Sequence, residues 1–110
     1  MPVPEMEVEA CAAWLAGTEA DRPALLDVRT PGEFQLAALP GALLVPLHEL
    51  EESEGLLEPL RGRKVVVYCH HGVRSLHGAA FLRQLGFEAW SMRGGIDAWS
   101  IRVDPRVPRY

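Results

Sequence analysis

The chain has 110 residues, 48% of them hydrophobic and 24% charged, which suits one soluble domain with one core and excludes two. Its formal net charge of −4 points away from a nucleic-acid binder, and no apolar stretch approaches the roughly 18–20 residues needed to cross a bilayer. The opening MPVPEMEVEA is acidic where a secretory leader is basic, so the expectation is a cytoplasmic protein whose two cysteines, Cys11 and Cys69, are reduced.

Residues 5–16 read as an amphipathic helix entered after Pro4 and closed by Gly17, with Val8, Cys11, Ala12 and Leu15 on its core face. A polar connection leads to a short buried strand, 24–28, ending in Asp27, Val28 and Arg29, and Pro31 opens a brief helical turn. Pro40-Gly41 marks a turn before a strand over 42–45; a short helix starts at Leu47 and Gly55 interrupts it. Val65–Tyr68 is a β-branched and aromatic run without polar alternation, the mark of a strand covered on both faces. A helix over 75–85 follows, with Ser75 as N-cap and Gly86 as its stop. A strand over 88–92 comes next, then a Gly94-Gly95 turn and a short helix in IDAWS. Residues 102–110, rich in Pro and Arg, read as an extended tail over the surface. Alternating strands and helices predict a small, mainly parallel central sheet with helices on both faces. Trp14 and Trp99 read as core residues and His77 as a solvated helix residue.

The carboxyl end of the 65–68 strand carries the chemistry. Cys69 leaves the sheet where open α/β sheets place their ligands, and His70, His71, Gly72, Val73, Arg74 and Ser75 form the loop into the next helix. A loop bent toward a helix N-terminus aims its N–H groups into one concavity, Gly72 supplies a positive φ there, and Arg74 adds a fixed charge. Such surroundings lower a thiol from its free value of roughly 8.5, which makes Cys69 a candidate nucleophile. His70 and His71 suit anion steering or proton transfer. No metal is expected, because Cys-His-His without a second cluster lacks the usual ligand spacing. Arg61, Arg63 and Lys64 add positive charge ahead of the loop, although a solvated face accounts for them better.

DVRTPGEF at 27–34, LPGALLVPL at 39–47, VVVYCHHGVRS at 65–75, LRQLGF at 82–87 and MRGGIDAW at 92–99 stand in the order and spacing of a single-domain rhodanese, and the chain resembles that sulfurtransferase family over most of its length. The C-terminal run IDAWSIRVDPRVPRY is similar to the end of rhodanese domains fused to E1-like adenylyltransferases. Ala38 stands where members commonly have histidine.

The resemblance implies a rhodanese-like α/β fold over 1–110 and a persulfide carried by Cys69, with no cofactor. Cys69 takes a sulfur from a small anionic donor such as thiosulfate. It passes that sulfur to cyanide, a thiol or a sulfur-carrier protein, with Arg74 near the donor or the persulfide. Asp27 and Arg29 border the same edge as pocket residues or as a supporting ion pair, Glu33 included. Gly94 and Gly95 allow close backbone approach there. Two alternatives remain: a non-catalytic binding module of the same fold, and a cysteine phosphatase or arsenate reductase. The latter need five residues between Cys and Arg, whereas four separate Cys69 from Arg74.

Overall fold

Val65–Tyr68 (β4) is buried at every residue because it lies in the middle of a sheet with both faces covered. Ala24–Asp27 (β2) and Ala89–Met92 (β5) flank it in parallel. Leu43–Leu44 (β3) and Glu5–Met6 (β1) form the edges. The order is β1-β5-β4-β2-β3 with all pairings parallel, in a computed structural model that describes residues 2–110. Alternate side chains feed two cores. Val65 and Val67 join Leu26, Ala79 and Leu82 beneath α3 (Arg74–Gln84). Val66 and Tyr68 join Leu25, Val8, Cys11, Ile96 and Trp99 beneath α1 (Val8–Leu15) and α4 (Gly95–Arg102). A short helix, Pro31–Leu36, follows β2. Helices therefore cover both faces, and one strand direction brings Asp27 and Cys69 to the same edge. No described helix is long and apolar enough to cross a membrane.

Several boundaries differ from the sequence expectation. The helix expected over 5–16 begins only at Val8; Glu5–Met6 instead pairs with β5, with Ser91 N–H donating to the Pro4 carbonyl at 3.0 Å and Arg93 N–H to that of Met6 at 2.9 Å. Arg93 also grips Glu5 and Glu7, at 2.8 and 2.9 Å. The helix expected from Leu47 shrinks to one 3₁₀ turn, Leu47–Glu49, and Gly55 lies inside a second 3₁₀ segment, Glu54–Leu60, rather than breaking one. Burial of Leu50, Leu57 and Leu60 draws the chain into these turns while Glu51 and Glu52 stay exposed.

α3 begins one residue early. Val73 occupies its N-cap, so Ser75 sits within the first turn and does not cap the helix. Its other end follows expectation: Gly86 N–H reaches the Arg83 carbonyl and Phe87 N–H the Leu82 carbonyl, both at 3.0 Å, the paired bonds of a Schellman cap. Beyond α4 the chain makes a turn at 104–107, half-buries Val107 against the second core, and returns to the carboxyl edge of the sheet at Tyr110. The segment 102–110 thus starts inside a helix and ends against the site.

Candidate active site

Cys69 follows β4 directly and is 1% exposed. Its Sγ accepts the Gly72 N–H at 3.1 Å and the Ser75 N–H at 3.3 Å, so two of the loop's amides converge on the sulfur. Ser75 Oγ lies 3.5 Å from the same sulfur. These donors stabilise negative charge on it without movement of the backbone.

The loop is held from the far side by the start of α4. Ile96 N–H donates to the Cys69 carbonyl at 2.9 Å, and Asp97 N–H to that of His70 at 3.1 Å. Two glycines make this approach possible. Gly72 has φ +96°, and a Cβ on it would lie 2.9 Å from the Gly94 nitrogen. Gly95 has φ +64°, and a Cβ on it would collide with the carbonyls of Cys69 and His70. Gly95→Ala is therefore expected to destabilise the fold by about 2 kcal/mol or more, read as a lower Tm, and to disorder the loop around Cys69. An unchanged Tm would mean that the loop is not clamped by α4.

Asp27 and Arg29 form an ion pair with both side chains fully buried. Arg29 Nη2 donates to Asp27 Oδ2 and to the Ala37 carbonyl, both at 2.6 Å, and Nη1 donates to the Tyr110 hydroxyl at 2.7 Å. The pair thus braces the segment after β2 from beneath. Glu33 does not join it through its carboxylate. That carboxylate takes Arg74 in a two-pronged bridge, 2.7 and 2.9 Å, and accepts the Tyr110 hydroxyl at 2.8 Å. The Arg74 guanidinium holds Glu33 well below the usual carboxylate range, against the opposing effect of burial. Both terminal nitrogens of Arg74 are committed to this bridge, so toward the loop the guanidinium acts mainly through its field.

The depressed Glu33 pKa has a sign that can be measured. Folding favours the ionised carboxylate, so its contribution is complete above the ordinary value of 4.5 and is lost as pH falls toward the folded value. Because Arg74 is about one-third exposed, the bridge is worth no more than about 1 kcal/mol. Glu33→Gln should lower Tm at neutral pH, and the gap from wild type should narrow as pH is brought below 4.5. A gap that persists unchanged in acid would assign the loss to packing instead.

His70 stacks between His71 and Tyr110, with ring centroids 3.8 and 4.0 Å away. Burial, with His71 adding repulsion, lowers its pKa, and its Nε2 is buried without a partner. His71 is exposed and its Nε2 lies 3.8 Å from Asp97 Oδ2. Among the described residues His70, His71 and Asp97 are the one group that brings three possible metal ligands together, within 4.8 Å; the sequence reading did not foresee Asp97. Arg109 already grips that carboxylate at 2.8 and 3.3 Å.

Val73 is 65% exposed at the rim. Arg61, Arg63 and Lys64 do not share the site, because they precede β4 and so lie at the opposite end of the strand. Cys11 is buried in the second core, where burial pushes its thiol up to about 12. Both cysteines are free thiols. Sequence reasoning missed Ser91, which touches Ser75, and Tyr110, which joins Arg29, Glu33 and His70; a lone serine in a strand and a terminal tyrosine carry no local signal.

The family model described as "Rhodanese-like domain" matches residues 9–102. A protein of Allochromatium vinosum named "Sulfurtransferase" is 37% identical over 99 residues, covering 89% of each chain. A Mycobacterium tuberculosis protein named "Probable adenylyltransferase/sulfurtransferase MoeZ" is 38% identical over 88 residues, 79% of this chain but 22% of its own length. The present chain therefore spans about a fifth of that relative. The crystal structure of a rhodanese-related protein from Thermoplasma volcanium superposes with a TM-score of 0.81 at 29% identity, covering 97% of this chain and 99% of that one.

Proposed function

Because the chain belongs to the rhodanese-like domain family, we propose that it transfers sulfur through a persulfide on Cys69. The observation that carries this reading is the pair of amides from Gly72 and Ser75 that meet at the Cys69 sulfur. In the first half-reaction the thiolate attacks the outer sulfur of thiosulfate; the S–S bond of the donor breaks, sulfite leaves with its electron pair, and Cys69 carries an S–S⁻ group. In the second, cyanide, a thiol or a sulfur-carrier protein attacks that terminal sulfur and restores the Cys69 thiolate. The similarity to a sulfurtransferase over nine-tenths of both chains supports sulfur transfer. The similarity to a probable adenylyltransferase/sulfurtransferase supports sulfur transfer as well.

Cys69 is 1% exposed, and four residues separate it from Arg74, which is itself engaged by Glu33. That enclosure suits a single sulfur atom reached end-on and gives a tetrahedral phosphate no encircling arginine, which weighs against phosphatase chemistry. The test is steady-state thiocyanate formation with thiosulfate and cyanide varied together. Parallel double-reciprocal lines, the pattern of a covalent intermediate, are expected. Intersecting lines would require both substrates to be bound together and would exclude the persulfide route.

A further inference from the structure

We propose that Ser91 is a positioning residue for the nucleophile, acting on Cys69 through the hydroxyl of Ser75; the proposal rests on the reading of Cys69 as the sulfur-carrying group. Ser91 lies on β5 and Ser75 in the first turn of α3, and both are fully buried. Their hydroxyl oxygens are 2.7 Å apart, and Ser75 Oγ is 3.5 Å from Cys69 Sγ. Among the described residues Ser91 Oγ makes no other hydrogen bond. A hydroxyl buried in a strand costs free energy unless it is bonded, so an apolar residue would suit the sheet better at this position.

The state of the sulfur dictates the direction of the two bonds. As a thiol, Cys69 donates its proton toward Ser75 Oγ, as the present geometry permits. As a thiolate or a persulfide it has no proton, and Ser75 must turn its O–H toward the sulfur. The Ser75 oxygen then needs a donor, and Ser91 is the hydroxyl in place to supply one. The two O–H dipoles line up toward the sulfur and polarise one another. Only two hydroxyl protons rotate, and no heavy atom has to move.

The rate of Cys69 alkylation by iodoacetamide at pH 7, followed by intact mass, tests this in wild type, Ser75→Ala, Ser91→Ala and the double variant. Ser91→Ala should slow alkylation about three- to tenfold, the range expected for one hydrogen bond between two neutral hydroxyls. In the Ser75→Ala background the same substitution should have no further effect, because the intermediary is gone. Single-turnover persulfide formation should fall in parallel while KM for thiosulfate stays unchanged. Unchanged alkylation in Ser91→Ala, or equal slowing in both backgrounds, would overturn the proposal. Alkylation needs no sulfur donor. The expected alkylation pattern in a protein that transfers no sulfur would therefore sink the proposed function and leave the hydroxyl pair standing.

Discussion

Cys69→Ser is expected to abolish thiocyanate formation and to leave Tm nearly unchanged. The serine oxygen occupies the place of the sulfur and still meets the N–H groups of Gly72 and Ser75, so the loop keeps its supports. What disappears is the nucleophile: an alcohol is not ionised near neutral pH and has no sulfur chain to extend. Cys11 offers no substitute. It is buried in the other core, and burial holds it as a thiol up to about pH 12. The check is a thiocyanate assay beside a thermal melt. Retained turnover in the variant would remove Cys69 from the mechanism, and lost turnover accompanied by a collapsed melt would show only that the thiol is needed for folding.

Arg29→Ala is expected to have the largest effect on stability, about 3–5 kcal/mol in urea unfolding, because it leaves the Asp27 carboxylate buried without its counter-ion. Both groups are fully buried, and Arg29 also satisfies the Ala37 carbonyl and meets the Tyr110 hydroxyl. One substitution therefore breaks the brace beneath the edge that carries Cys69. This measurement separates the two roles that the sequence left open for Asp27 and Arg29. A large loss of stability identifies a structural pair. A loss of less than about 1 kcal/mol together with lost turnover would make Arg29 a substrate contact instead.

The parts of the molecule written in contiguous residues were legible in the sequence. Val65–Tyr68, Cys69, Gly72 and the helix after them form one strand–loop–helix unit, and each piece has its own local signature. The parts that depend on distant partners were not. Glu5–Met6 becomes a strand only because β5 lies alongside it, and by itself it reads as the start of an amphipathic helix. Ser75 looks like an N-cap until the loop curls back and Ser91 appears beneath it. Arg74 looks free for an anion until α2, the short helix over 31–36, brings Glu33 against it. Tyr110 sits in a stretch of Pro and Arg with no periodicity, and its place against His70 follows from the turn at 104–107.

The central claim is a persulfide on Cys69, and intact mass spectrometry after incubation with thiosulfate tests it most directly. The predicted result is a gain of one sulfur atom in the wild type that is absent in Cys69→Ala and is removed by cyanide with release of thiocyanate. A wild-type protein that acquires no sulfur from thiosulfate or from a persulfide donor, with Cys69 confirmed as a free thiol, would contradict the account.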